Sequence, residues 1–275
     1  PSPCDASMIY RKATRIAAIA VICCLTAPAA VLAQRTKSSL SAGEQRYAEK
    51  GLKDNRYFFY FINSSISNFG TEEEKTLFRE AIRRDMIAQI LYLKFLFHES
   101  FVEIKRSQKI LIDLYRTVLK RDIGMTKDLL DDFARGSIKS GKYRSKHYLK
   151  LGYRDVTEAR IFFKMADHYR ATLYSMRLYE YVKAIKDAKH GKRYAFYSKL
   201  ESVSPDDIKR EWGHFPFDDL EKKITGLSEE KKDFYAAIHY DNYYRARTGK
   251  SYYDMIWENP QLEEIPEYQE YLGLR

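Results

Sequence analysis

The feature of this sequence that most constrains its fold is a stretch from Thr71 to Ile123 that contains neither proline nor glycine. Apolar residues recur there about every 3.6 positions, which is the period of an α-helix and longer than the period of about 3.5 in a long left-handed coiled coil. The recurring residues are Phe78, Ile82, Met86, Ile90, Leu93, Phe97, Phe101, Ile104, Leu111, Tyr115 and Val118. The pattern predicts a helix over Glu72–Asp122, which would reach roughly 75 Å at about 1.5 Å per residue if it is unbroken.

Local sequence signals set the expected ends of this helix. Thr71 begins the sequence TEEE, which has the pattern of a helix capping box. Gly124 is expected to end the helix, and a shorter helix is expected to begin at Thr126 and end near Gly136 to Gly141. Residues 90–97 (ILYLKFLF) are apolar nearly all round. We therefore predict that this segment is covered on several sides and forms the centre of a bundle.

The remaining sequence also has helical rather than strand character. No stretch shows sustained polar–apolar alternation, and Asn-Gly and Asp-Gly hairpin turns are absent. Further helices are expected from Ser41 to about Ile66 (weakened by the polar residues 63–65), from Asp155 to Lys189, from Pro205, and from Ser228. We predict an all-α fold, an elongated helical bundle with one or more very long helices. A division into two lobes, with a boundary near residues 136–152, stays open.

Residues 1–33 have the pattern of a cleaved signal peptide. A basic segment precedes a short apolar run from Ile16 to Leu25, and small residues precede a cleavage site after Ala33. Residues 1–7 would lie upstream of a start at Met8. The apolar run is about half of the roughly 20 residues that a membrane span needs, so we expect a mature chain of residues 34–275 without a transmembrane anchor.

Removal of this segment changes the composition on which a functional argument can rest. It takes away all three cysteines, which excludes disulfides and thiolate metal sites from the predicted mature chain. It also removes three basic residues and one acidic residue, so the net charge falls from +10 to +8. Export argues against nucleic acid as the partner of the basic stretch Lys139–Lys150. An acidic protein or an anionic envelope surface is the better expectation.

The sequence carries no recognisable catalytic motif. It has no His-Glu-x-x-His zinc motif and no glycine-rich phosphate loop. Glu211 and His214 match half of a di-iron helix-bundle site, but a second Glu-x-x-His is absent. We therefore predict a protein that is not an enzyme and needs no metal or cofactor.

Tyrosine is unusually frequent, with 23 residues, and it is the main indication of an interaction surface. The five consecutive aromatic residues Tyr57–Phe61 cannot all lie on one face of a helix, so some rings must meet a second layer of the fold or another molecule. Filling of a thick core is the alternative. The candidate interface residues are Tyr57, Tyr60, Lys142, Arg144, Lys146, Tyr194, Tyr197, Tyr243 and Tyr252.

Residues 148–195 read YLKLGYRDVTEARIFFKMADHYRATLYSMRLYEYVKAIKDAKHGKRYA. With the exported, cysteine-free and tyrosine-rich helical chain around it, this segment resembles the flagellar coiling proteins of Leptospira, and the chain length is closer to the smaller member, protein B. The resemblance implies a non-enzymatic periplasmic protein of the flagellar sheath that promotes coiling of the filament and hence motility. Its partners would be other sheath proteins and filament core proteins. The alternative is an envelope helical-repeat adaptor or chaperone-like module that binds proteins.

Overall fold

A computed structural model describes residues 42–203 and 227–273 of the protein. Within these ranges the chain is helical and contains no β-strand, which confirms the predicted all-α fold. The described residues from Ala48 onward belong to one compact unit. Four predicted features lie outside the described residues: the signal peptide with its cleavage site, the helix start at Ser41, the helix from Pro205, and the pair Glu211 and His214.

The described chain contains eight α-helices and one short 3-10 helix. The first five are α1 (residues 42–69), α2 (Glu72–Leu93), α3 (Phe97–Lys139), α4 (Tyr143–His168) and α5 (Tyr174–Val203). The others are α6 (Glu229–Asn242), α7 (Tyr252–Glu258), the 3-10 helix Leu262–Glu264 and α8 (Pro266–Tyr271). At 43 residues, α3 is roughly 65 Å long at about 1.5 Å per residue, so the prediction of a very long helix is confirmed.

The main core lies where α1, α2, α3 and α5 pack together. Phe58, Phe59 and Ile62 of α1 are fully or almost fully buried in it. The buried hydroxyl of Tyr115 in α3 donates to the Phe58 carbonyl at 2.6 Å, which satisfies a polar group that burial would otherwise penalise. Some of the aromatic residues, including Tyr115, therefore fill the core, as the alternative to interface use proposed.

The long helix predicted over Glu72–Asp122 is broken at residues 94–96. The Leu96 N–H donates to the Leu91 carbonyl at 3.0 Å, and the Phe95 N–H donates to the Tyr92 carbonyl at 3.0 Å. These two bonds form a Schellman motif, in which glycine normally occupies the left-handed position that Phe95 holds here with φ +62°. The apolar period continues on both sides of the turn, so periodicity gave no sign of the break.

The prediction that residues 90–97 form the centre of the bundle is wrong. Leu91 is buried, but Leu93 is 75% exposed and Phe95 is 79% exposed. Leu96 is also exposed. Because the chain reverses here, the apolar residues of this segment project from the connection between two helices instead of entering the core.

Single glycines end fewer helices than the sequence suggested. The helix expected to end at Gly124 continues to Lys139, because Leu129, Leu130 and Phe133 are buried on its far side and offset a glycine cost of about 1 kcal/mol. Thr126, expected to begin a new helix, lies inside α3.

The helix predicted over Asp155–Lys189 is divided between α4 and α5, with a break at residues 169–173. Gly191, expected to end it, lies inside α5 and allows α4 to approach closely. A Cβ atom on Gly191 would lie 2.8 Å from the Thr126 side chain and 3.3 Å from the Gly152 carbonyl. Helix α1 likewise continues through the polar residues 63–65 to residue 69.

Candidate binding surfaces and the ionic cluster that positions them

Four charged side chains with no solvent exposure form an ionic cluster in the bundle: Asp122, Lys189, Lys192 and Asp241. The Lys189 ammonium lies 2.5 Å from Asp241 Oδ1. The Lys192 ammonium lies 3.2 Å from Asp241 Oδ2 and 3.4 Å from Asp122 Oδ2. Two positive and two negative charges face one another, so the cluster is balanced, as buried ions must be to avoid a large desolvation cost.

Helix α1 completes the ionic cluster with two hydroxyl groups. Ser64 accepts from the Lys189 ammonium at 2.6 Å and donates to Asp241 at 2.9 Å, while Ser65 donates to Asp122 at 3.0 Å. Burial alone would raise the pKa of the Asp241 carboxyl, but the two ammonium groups and these hydrogen bonds hold it well below its ordinary value. The cluster thus fixes α6 against α1, α3 and α5.

The loop that follows α6 is fastened to the end of α1. The Asn68 side-chain amide donates to the Arg245 carbonyl at 2.8 Å and accepts from the Arg247 N–H at 2.8 Å. One turn earlier, Asn63 accepts from the Tyr253 N–H at 3.2 Å. These bonds explain why the end of α1 carries asparagines. Their side-chain amides bond to backbone N–H and C=O groups that have no partner from regular secondary structure.

A cavity of about 650 Å³ opens between α1, the end of α6 and this loop. We call it the arginine–tyrosine pocket; its lining includes Arg56, Phe59, Tyr60, Asn63, Tyr240, Tyr244, Arg245, Arg247, Ser251, Tyr253 and Asp254. The Tyr60 and Tyr244 rings stack with centroids 5.7 Å apart. Tyr244 has φ +57°, a left-handed conformation that is costly for a residue other than glycine. The Lys189 ammonium lies 4.9 Å from the Tyr244 ring, which connects the pocket to the ionic cluster.

Three of the predicted interface tyrosines lie around α1. Tyr57 is partly exposed, and its hydroxyl accepts from the Lys186 ammonium at 3.1 Å. Tyr60 is 58% exposed and lines the arginine–tyrosine pocket. Tyr252 is half-buried at the start of α7, where its hydroxyl accepts from Arg79 at 2.7 Å. The structure therefore brings Tyr60 to a cavity, whereas Tyr57 and Tyr252 make contacts within the chain.

A second group of predicted residues lies along α4, α5 and the end of α6. Tyr194, Tyr197 and Tyr243 are all half-buried. Tyr194 stacks on Tyr148 with ring centroids 6.1 Å apart, and Tyr197 lies 5.3 Å from the same ring. The ring of Tyr243 lies 4.6 Å from the Arg193 guanidinium. These rings form a continuous aromatic surface between neighbouring helices.

The predicted basic residues lie at the start of α4. Lys142 precedes the helix and is half-buried, whereas Arg144 and Lys146 are exposed. Tyr143, between them, is 79% exposed and stacks on His147 with ring centroids 5.9 Å apart. This end of α4 thus extends the aromatic surface with positive charge.

Sequence reasoning predicted only Tyr60 of the residues that line the arginine–tyrosine pocket, and it missed the two arginines with unpaired side chains. Arg56 and Arg245 are exposed, and among the described residues neither side chain makes a hydrogen bond or an ion pair. Arg247 differs from them because its guanidinium contacts Asp233 at 2.5 Å. Arg56 adjoins the aromatic run at residues 57–61, which is the one sequence signal that could have indicated it. Arg245 directly follows Tyr243 and Tyr244, which is a comparable signal.

The described residues also give two findings on metals and membranes. They contain no group of three or more His, Cys, Asp or Glu side chains that could hold a metal ion. None of the helices in residues 42–203 and 227–273 is both long and apolar enough to cross a membrane.

Comparison with known proteins places the chain in a family context. A family model described as surface protein adhesin OmpL37 matches residues 42–270, which is most of the chain. No curated protein and no solved structure matches it. The family match supports the predicted relation to leptospiral envelope proteins, but not to flagellar coiling protein B in particular.

Proposed function

The chain belongs to the OmpL37 family of leptospiral surface adhesins, and on this premise we propose that it is a non-enzymatic envelope protein that attaches to a protein partner. The observation that carries the proposal is the turn between α2 and α3, where Leu93 and Phe95 are 75% and 79% exposed. Contiguous exposed apolar side chains of this kind mark interaction surfaces in soluble domains.

The backbone of this turn strengthens the argument. Glycine at position 95 would fit the left-handed conformation without steric cost, yet the chain has phenylalanine there. A side chain that costs backbone energy and gains little burial in the isolated protein is explained if it is buried in a complex. Aromatic residues contribute much of the binding energy at such interfaces because they bury a large area with few rotatable bonds.

The test measures binding of the full mature chain to a panel of immobilised host matrix proteins by surface plasmon resonance. We expect at least one specific interaction that Phe95→Gly or Leu93→Ser weakens at least about tenfold. Ile161→Ser is the matched control, because Ile161 is an exposed apolar residue of α4. If the Phe95 and Leu93 variants bound as tightly as the unmodified chain, the turn would not be the binding surface, and the proposal would be contradicted at that point.

A second candidate function is that of a flagellar sheath component in the periplasm. The resemblance of residues 148–195 to flagellar coiling proteins suggests it, and Tyr148 and Tyr194 of the aromatic surface lie within that segment. Tyr143, Tyr148 and Tyr194 belong to this surface. Many weak contacts along such a surface could hold a protein on one side of a filament and bias its curvature.

The two candidates predict different locations. An adhesin must be accessible to proteinase K added to intact cells, whereas a sheath protein must be protected until the outer membrane is permeabilised. Mass spectrometry of purified flagella gives the complementary measurement. Cleavage in intact cells without enrichment in flagella supports the adhesin, and protection with enrichment supports the sheath component.

A further inference from the structure

We infer that the arginine–tyrosine pocket is a binding site for an acidic peptide segment of a partner protein, in which a carboxylate lies next to an aromatic or apolar side chain. This goes beyond the proposed function, because the pocket shares no residue with the turn between α2 and α3. The volume of about 650 Å³ falls in the range of roughly 300–1,000 Å³ that ligand pockets occupy.

The unpaired positive charges of the pocket favour a negatively charged ligand. Arg56 and Arg245 have no side-chain hydrogen bond or ion pair within the described parts of the chain, so their donors remain available to a ligand. Asp254 is the one acidic residue among the described residues of the lining, and it already accepts from the Ser251 hydroxyl at 2.7 Å in the cap of α7. A guanidinium presents paired N–H donors whose geometry matches a carboxylate.

The aromatic walls of the pocket favour a peptide with an apolar or aromatic side chain next to the carboxylate. Phe59, Tyr60, Tyr240, Tyr244 and Tyr253 surround the arginines with aromatic rings. Such rings bury apolar and aromatic side chains of a peptide while their hydroxyl groups remain available for hydrogen bonds. A sulfated polysaccharide would instead require an extended basic stripe, whereas the described lining of the pocket contains two unpaired guanidinium groups.

Contacts within the chain also hold the site in place. Asn68 holds the loop on both sides of Ala246, through the Arg245 carbonyl and the Arg247 N–H. Tyr244 is fixed between the Tyr60 ring and the buried Lys189 ammonium. A preformed pocket loses less conformational entropy when a peptide binds, which raises affinity for a short segment.

The experiment uses the full mature chain and a fluorescein-labelled tetrapeptide of alternating phenylalanine and glutamate, measured by fluorescence anisotropy. We expect saturable binding that weakens with added salt, and a loss of at least about tenfold for Arg56→Gln and for Arg245→Gln. Both side chains are exposed and unpaired within the described chain, so both variants should fold. Arg135→Gln is the matched control, since Arg135 is an exposed arginine of α3 outside the pocket.

Three further measurements separate the alternatives. The same peptide with glutamine in place of glutamate should bind at least about tenfold more weakly. Phe95→Gly should leave peptide binding unchanged, so that failure of the pocket and failure of the turn are distinguishable. Equal affinity of the glutamate and glutamine peptides, equal affinity of the pocket variants and the control, or saturable binding of a heparin tetrasaccharide without binding of the peptide would overturn the inference.

Discussion

Proteins usually bury apolar side chains and expose charged ones, and two regions of this molecule depart from that rule in opposite ways. The ionic cluster buries charges, and the turn between α2 and α3 exposes apolar residues. In the cluster, Lys189 and Asp241 are charged and have no solvent exposure. In the turn, Leu93 and Phe95 are apolar and mostly exposed. The charges have partners within the chain, whereas the two apolar side chains project into solvent. The comparison indicates that the buried charges stabilise the fold and that the exposed apolar side chains are available for binding.

The largest effect is expected from Asp241→Asn in the ionic cluster. The substitution leaves the Lys189 and Lys192 ammonium groups buried with only Asp122 to balance them, which should cost about 3–5 kcal/mol in the free energy of unfolding. Urea denaturation measures the loss. The control is Asp233→Asn, which removes an exposed partner of Arg247 and should cost less than about 1 kcal/mol. Similar losses in both variants would contradict a structural role for the cluster.

Asp85 provides a second type of buried carboxyl group, which has no cation at hydrogen-bonding distance among the described residues. Its partners are the side-chain amides of Asn55 at 2.7 Å and Gln89 at 2.8 Å. Burial outweighs these hydrogen bonds and raises its pKa from 3.8 to about 6. The paired Asp241 has a lowered pKa instead, so two buried carboxyl groups of one bundle are shifted in opposite directions.

This difference predicts how stability depends on pH. The folded protein binds the Asp85 proton more tightly than the unfolded chain does, so this contribution is greatest below about pH 4 and is lost as the pH rises through about 6. A shift of about two units corresponds to at most about 3 kcal/mol. Denaturation at pH 4 to 7 should show a decline that Asp85→Asn reduces.

Asp187 is the necessary comparison in the same experiment. Burial also raises its pKa to about 6, but it is more exposed, so Asp187→Asn should reduce the decline less. Asp241 should not titrate in this range, because its stabilising contribution disappears only at much lower pH. If Asp85→Asn left the pH dependence unchanged, the Asp85 carboxyl of the unmodified protein would be ionised across this pH range, which would contradict the prediction.

The comparison also shows how far the sequence could predict this structure. Apolar periodicity predicted the helical character correctly because each helix buries one face along its length, but it gave no sign of the breaks at residues 94–96 and 169–173. The ionic cluster had no such signal, since Ser64 and Asp241 are separated by 177 positions and look like surface residues in their local sequence. The candidate site was predicted only in part. Tyr60 belonged to a visible aromatic run, whereas Arg245 reaches the pocket only through the docking of α6.

The smallest effect on stability, and the one of opposite sign, is expected from Phe95→Gly. The glycine removes the steric cost of φ +62° and sacrifices little burial, because the phenylalanine side chain is 79% exposed. We expect the free energy of unfolding to stay constant or to rise by up to about 1 kcal/mol. Ile161→Gly is the control: at an exposed position inside α4, glycine should lower stability by about 1 kcal/mol. Equal losses in the two variants would mean that Phe95 contributes to the fold. The turn would then resemble the ionic cluster, and its exposed ring would need no partner to explain it.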